Sequence, residues 1–386
     1  MPILHRYVLR QFISVFVICF CSLTGLFVVI DGFGNLDEFI AYASPTAAPV
    51  AWLTHGSLLR VMGEYYAYQS LTFFDRTSPI LTLIAAMFTL TWIQRHNELT
   101  AIQAAGIAKS RILTPIIAAV IVISILAAAN REFVIPSARG ALSHNAQDLG
   151  GTSSRALQSR RDYDTDILMQ GQEVFDEAQR IGKPSFALPR NLDRYGKRLR
   201  AEEAVYVAPQ GDRPGGYLLR KLQQPKDLDR DASLTVDGKP ILITPADASW
   251  LKSGECFVVS YVTFEQLTSG AKWKQLASTS ELIRGLHSRN LEFGADVRVA
   301  VHSRLIQPVL DVTLLFLGIP LVLSRSNRNI FLAIGLCAGV VVAFMLMVLG
   351  CQYMGSSYFI NPALAAWLPL LIFVPAAVGL SDPLRE

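Results

Sequence analysis

Six apolar runs constrain this chain more than any other feature. They are Phe12–Ile30, Ser78–Ile93, Ile112–Ala129, Leu305–Leu323, Ile330–Cys351 and Ala363–Leu380. Each holds about 16–22 residues, against the roughly 20 that a helix needs to cross a bilayer core. In hydrocarbon a backbone must satisfy its own hydrogen bonds, so such runs are expected to be helices. Charged residues make up 17% of the chain, well below the figure of about 25% for soluble domains. The second run is the shortest. The aromatic stretch Tyr65–Phe74 extends it outward, with Asp75 and Arg76 expected near the headgroups, an interface that Tyr and Trp favour. Arg6 and Arg10 precede the first run as in a signal peptide, but the run is too long for an h-region and no small-residue cleavage site follows. An uncleaved first transmembrane helix is expected.

Charge decides the expected orientation. With six crossings, the connections carrying Arg6 and Arg10, then Arg95, Lys109 and Arg111, then Arg325 and Arg328 share one side. The segment Asp31–Tyr65 on the other side is net acidic, with Asp31, Asp37, Glu38 and Glu64 against Arg60. The positive-inside rule then puts both termini in the cytoplasm. The long polar region Asn130–Asn290 falls on the opposite side and is large enough for its own core. Its early part, Gly140–Arg161, reads as a flexible or helical lead-in. Arg198–Ala208, Gly216–Leu222, Ile241–Thr244 and Cys256–Phe264 read as strands, separated by the turn sequences PQGDRPGG, DLDRDAS, VDGKP and KSGE. That spacing suggests a sandwich or open barrel. A helical pattern over Ser280–Leu291 leads back to the membrane. The expected architecture is an α+β membrane protein divided at 1–130, 131–290 and 291–386, with the β-rich part inserted between helices three and four.

Several chemistries are excluded. A net charge of +4 without a basic, aromatic-interleaved stripe does not suit nucleic acid. The six histidines and five cysteines form no HExxH or CxxC motif, so no metal or cofactor is expected. Cys19, Cys21, Cys337 and Cys351 sit in or beside apolar runs, which argues against a disulfide scaffold. No GxxxxGK[ST] occurs, so the chain does not cradle ATP in the P-loop manner. Asp311 lies inside an apolar run, where a carboxylate is a candidate functional group. The competing reading is that it is protonated, or bonds a neighbouring helix or water. Gly335 and Gly339 form a GxxxG pair suited to close helix approach. Pro308, Pro320, Pro369 and Pro375 are expected to kink their helices.

Between the second and third runs lies RHNELTAIQAAGIAKSR, Arg95–Arg111. Asn97 is placed to cap a short helix with its side chain. Glu98 would then sit in the first turn, where the helix dipole favours an anion. Leu99, Ile102 and Gln103 share one face, and Gly106 ends the helix in the left-handed conformation. From spacing alone this is either a solvated reversal of the chain or a grip for a soluble partner.

Two longer stretches carry a family resemblance. SPILTLIAAMFTLTWIQRHNELTAIQAAGIAKSRILTP resembles the second helix, coupling helix and third-helix entry of the lipopolysaccharide-export permeases, the LptF/LptG family. HSRLIQPVLDVTLLFLGIPLVLSRSNRN resembles that family's fourth helix and following turn, and RLRAEEAVYVAPQG a strand of its periplasmic jellyroll. The resemblance implies a permease subunit of an ABC transporter, paired with a second permease of the same layout and driven by a cytoplasmic ATPase dimer. It implies lipopolysaccharide as cargo, extracted from the inner membrane and passed through the β-domain to a periplasmic bridge protein. It assigns Glu98, Leu99, Ile102, Gln103 and Gly106 to ATPase coupling. By helix membership it assigns Phe27, Ile30, Phe331 and Phe344 to the lipid cavity or lateral gate. One departure stands out: the outer end of the first helix reads VVIDGFGNLDEFIAY, acidic where the family has lysines and arginines for lipid phosphates. The alternatives are a membrane-anchored binding or assembly module without transport, and an intramembrane enzyme built on Asp311.

Overall fold

The computed structural model describes residues 2–43, 57–143, 155–162, 165–175, 179–188, 197–210, 214–225, 228–236, 239–264, 267, 274–287, 294–323 and 330–380. Arg325, Arg328 and the end of the helix expected to reach Leu291 lie outside these residues. Six described helices are long and apolar enough to cross a membrane. They are α1 (Pro2–Gly34), α3 (Ser57–Arg95), α5 (Lys109–Ala129), α7 (Ala295–Leu323), α8 (Ile330–Ser356) and α9 (Pro362–Leu380). Between them sit the short α2 (Leu36–Ala43), α4 (Glu98–Ala104) and α6 (Thr279–His287). The second span is the longest rather than the shortest. As the aromatic stretch suggests, α3 extends outward, for 39 residues in all. Asp75 and Arg76 lie inside it, not at its end. Pro79 in α3, Pro308 and Pro320 in α7, and Pro369 and Pro375 in α9 are all accommodated within continuous helices.

One apolar cluster joins these helices. Phe12 of α1, Leu81 and Leu90 of α3, Ile116 of α5, Leu314 of α7, Phe344 of α8 and Ala366 of α9 all belong to it. Gly318 permits a close approach: a Cβ there would stand 2.5 Å from Leu83 Cδ1, so α7 and α3 meet where α7 has no side chain. Among the described residues nothing lies within 4 Å of a Cβ at Gly335 or Gly339, so no close helix approach is seen at either. In contrast, the outward face of α1 is uncovered, with Ile18, Leu26, Ile30 and Phe33 exposed. Contiguous apolar surface of this kind belongs against lipid or a partner.

Nine described strands lie in the insert: β1 (Arg155–Asp162), β2 (Ile167–Phe175), β3 (Arg180–Gly182), β4 (Ser185–Ala187), β5 (Arg198–Val207), β6 (Gly216–Gln224), β7 (Leu234–Val236), β8 (Lys239–Ile243) and β9 (Cys256–Val259). They build one antiparallel sheet in the order β1-β2-β3-β5-β6-β9-β8-β7, with β4 also between β2 and β5. β3 and β4 are two halves of one line, broken where Lys183 takes φ 46° before Pro184. The four strands read from sequence are present with shifted ends. β9 stops at Val259, so Cys256–Phe264 is only partly strand. Of the lead-in expected over Gly140–Arg161, the start to Ser143 is helical, residues 144–154 lie outside the described residues, and from Arg155 the chain is strand β1 rather than a lead-in. Leu157, Ile167, Met169, Ile181, Leu199, Tyr217 and Val258 gather in a core separate from that of the helices.

α4 and the start of the insert lie at opposite ends of α5. α5 starts five residues after α4 and its far end leads into the insert. At 1.5 Å per residue its 21 residues span about 31 Å.

Candidate functional site

A seven-residue helix does not hold itself together in water, so α4 depends on its ends and its anchors. Asn97 does not cap it with its side chain. It sits at φ 59°, in the left-handed region, because only two residues separate α3 from α4 and one must reverse the chain. Asn tolerates that conformation, but side-chain capping requires an extended one. The Asn97 carbonyl instead accepts from the Ala101 N–H at 3.1 Å. At the other end Gly106, at φ 77°, ends the helix as its position suggests. Its N–H donates to the Gln103 carbonyl at 2.9 Å and the Ile107 N–H to the Ile102 carbonyl at 3.2 Å, the paired bonds of a Schellman stop.

Two side chains then fix α4 to the bundle. Leu99 is 8% exposed and joins the apolar core with Val8 and Ile93; burying a Leu contributes about 1.5–3 kcal/mol. Glu98 accepts the single Tyr7 hydroxyl proton, which both carboxylate oxygens share at 3.0 Å and 3.2 Å. Ile102 is half-buried against the same core, whereas Gln103 and Gly106 are exposed. The predicted face is therefore the bundle-facing side, with Gln103 at its edge. Thr100, Ala101, Gln103 and Ala104 are left open to solution. Arg6, Arg10, Arg95 and Arg111 are exposed at this same end.

The residues expected to line a lipid path lie in separate surroundings. Phe27 stacks on Phe73 at 5.5 Å and meets Tyr66 edge-on at 6.1 Å, within an aromatic seam between α1 and α3. Ile30 is 66% exposed on the uncovered face of α1. Phe344 is buried against Phe373 of α9, ring centres 4.7 Å apart. Phe331 lies at the start of α8. The acidic end of α1 is used internally: Asp31 accepts from the Tyr66 hydroxyl at 2.9 Å and from Asn35 Nδ2 at 3.2 Å.

Sequence reasoning missed a polar joint that ties the helical segments flanking the sheet to the bundle. Arg131 pairs with Asp75 at 2.8 Å. Glu132 accepts from the N–H of Thr279, at 2.9 Å, and from its hydroxyl, which places a carboxylate at the N-terminus of α6. Glu281 pairs with Arg139 and exchanges bonds with Ser278 as a capping box. Arg304 donates to the carbonyls of Ala277, Lys274 and Gln275 at 2.6, 3.1 and 3.2 Å. The S-x-x-E pattern of Ser278–Glu281 was a local signal for the capping box. The other partners are far apart in sequence, and no local pattern reveals them. Deeper in, Asp311 accepts from Ser124 at 2.9 Å and Gln307 at 2.8 Å. It borders a cavity of about 10 Å³ shared with Ser78 and Arg131, against the roughly 300 Å³ or more of a ligand pocket. Asp311 thus bonds its neighbouring helix, as the competing reading had it. Among the described residues no group of three or more His, Cys, Asp or Glu is placed to hold a metal.

Comparison with curated proteins finds no match. The sequence profile of the lipopolysaccharide export system permease LptF/LptG family matches residues 6–382. The match takes in all six spanning helices, α4 and the inserted sheet, and on it this chain belongs to the LptF/LptG family of lipopolysaccharide export permeases.

Proposed function

We propose that the chain is one permease subunit of an ABC transporter that extracts lipopolysaccharide from the inner membrane and hands it to a periplasmic bridge protein. In this reading it works as three parts: residues 1–130 with the coupling helix, the periplasmic β-domain 131–290, and residues 291–386. Both termini and α4 face the cytoplasm, where the exposed arginines at that end agree with the positive-inside rule. An ATPase dimer docks on α4 through Glu98, Gln103 and Gly106, with Leu99 and Ile102 seating the helix from beneath. A second permease covers part of the open apolar surface. Ile30 faces the lipid path directly. Phe27 backs it, Phe344 sets the position of α8 opposite, and Phe331 is assigned to the same gate by helix membership. An acyl chain does not cross water unaided, since each CH₂ favours an apolar environment by about 0.8 kcal/mol. The β-domain offers such an environment beyond the membrane.

The observation that carries this reading is that α4 and the start of the insert lie at opposite ends of the spanning helix α5. Force applied at one end can then move cargo at the other. The test is Glu98→Arg in the tagged full-length protein, purified in mild detergent. The reversed charge is expected to leave the subunit membrane-inserted and paired with the second permease but free of ATPase. A Glu98→Arg protein that still retains the ATPase and supports export contradicts the coupling role. Recovery of the parent protein with neither ATPase nor second permease favours a binding module without transport.

A further inference from the structure

α4 is continuous with α3 on one side and α5 on the other, so the backbone itself carries any displacement of α4 into those two helices. α1 has no such link. It reaches α4 through side chains: the Tyr7–Glu98 hydrogen bond, across 91 positions of sequence, and the shared apolar contacts of Val8 and Phe12 with the cluster that holds Leu99. The apolar contacts are non-directional and tolerate sliding. The bond from the phenol to a carboxylate is charge-assisted and fixes one atom against another.

The rest of α1 suits a follower. It runs as one helix from Pro2 to Gly34 with no interior proline, so a displacement at Tyr7 reaches the other end of the rod. There Phe27, Val28 and Asp31 meet α3, while Ile18, Leu26 and Ile30 are uncovered. Tyr7 is itself 43% exposed. Water could satisfy its hydroxyl at no cost to the fold, so burial alone does not require this bond.

We infer that Tyr7 is a positioning residue for the coupling step: its hydrogen bond to Glu98 makes α1 follow α4, so that a change at the ATPase reaches the lipid-facing helix. This rests on the reading of α4 as the ATPase contact. Tyr7→Phe removes the hydroxyl and keeps the ring that packs beside it.

The experiment uses the assembled transporter in proteoliposomes, with lipopolysaccharide extracted per ATP hydrolysed as the first readout. Tyr7→Phe is expected to lower that ratio by about threefold or more, since a hydrogen bond to a charged group is being lost. The second readout is the distance between spin labels at Ile3→Cys and Thr100→Cys in a cysteine-free background, measured without nucleotide and with ATP plus vanadate. Both positions are exposed. The distance is expected to stay constant across nucleotide states with Tyr7 present and to become nucleotide-dependent with Tyr7→Phe. A purely structural tyrosine would change the yield of complex but neither the ratio nor the distance response. A parental ratio and a constant distance in Tyr7→Phe, together with loss of ATPase in Glu98→Arg, overturn the tie alone. Retention of ATPase by Glu98→Arg overturns the tie and the coupling reading together.

Discussion

The Ser124 hydroxyl donates a 2.9 Å hydrogen bond to the Asp311 carboxylate, joining α5 to α7 inside the bundle. Both residues are buried, Ser124 at 5% and Asp311 at 4% exposed. Polar residues at such depth usually face other helices and hold them together.

This bond separates a structural acid from a catalytic one. Asp311→Asn keeps an acceptor for Ser124 and is expected to leave lipopolysaccharide export within about twofold of the parent. Asp311→Leu strands both the Ser124 and Gln307 donors and should destabilise the bundle by about 1–3 kcal/mol, read as a lower unfolding temperature in detergent. Complete loss of function in Asp311→Asn, with normal stability and assembly, would revive the enzyme reading.

Glu281 serves the joint twice, through Arg139 and through the capping box with Ser278. Glu281→Ala removes both. Loss of a cap costs about 0.5–2 kcal/mol, so limited proteolysis of the full protein should cut near α6 sooner, with the bundle intact. An unchanged cleavage rate would show that Glu132 and Arg304 suffice to hold α6 in place.

The β-domain carries its own pH dependence. Asp229 accepts from the Ser253 hydroxyl and from the Gly254 N–H at 3.0 Å, and these donors hold its carboxyl below the usual range. The folded state therefore takes up this proton less readily than the unfolded one. Its contribution is complete above the ordinary carboxylate value of about 3.9 and fades as pH falls through the lower folded value. Asp229 is largely solvent-screened, so the effect is modest. Denaturation of the domain in the full-length protein, followed between pH 6 and pH 3, should lose stability less steeply in Asp229→Asn than in the parent. Parallel profiles would remove Asp229 from the account.

What was legible in the sequence follows from what a membrane demands. A spanning helix must be long and apolar, so all six were visible, and the 3+3 order with a β-rich insert came with them. α4 was legible because Asn97 and Gly106 are the residues that reverse a chain, although Asn97 does so through its backbone rather than its side chain. β1 and β2 were harder to see. RALQSRRD and ILMQGQEVF alternate poorly, because register shifts interrupt the pairing of β1 with β2. β3 and β4, three residues each, leave almost no pattern. The long-range partners of the polar joint and the Tyr7–Glu98 bond were beyond reach because they depend on which helix ends meet in space. The lipid-path residues were chosen by helix membership alone, and that does not say which way a side chain faces.

The central claim is that α4 and the β-domain stand on opposite sides of the membrane with α4 inside. Single cysteines at Gln103 in α4 and Lys252 in the β-domain, both exposed positions, test it most directly in a cysteine-free background. Intact spheroplasts would be treated with a membrane-impermeant maleimide. The account predicts that Lys252→Cys is labelled at once and Gln103→Cys only after the membrane is permeabilised. Labelling of both from outside, or of Gln103→Cys alone, would contradict it.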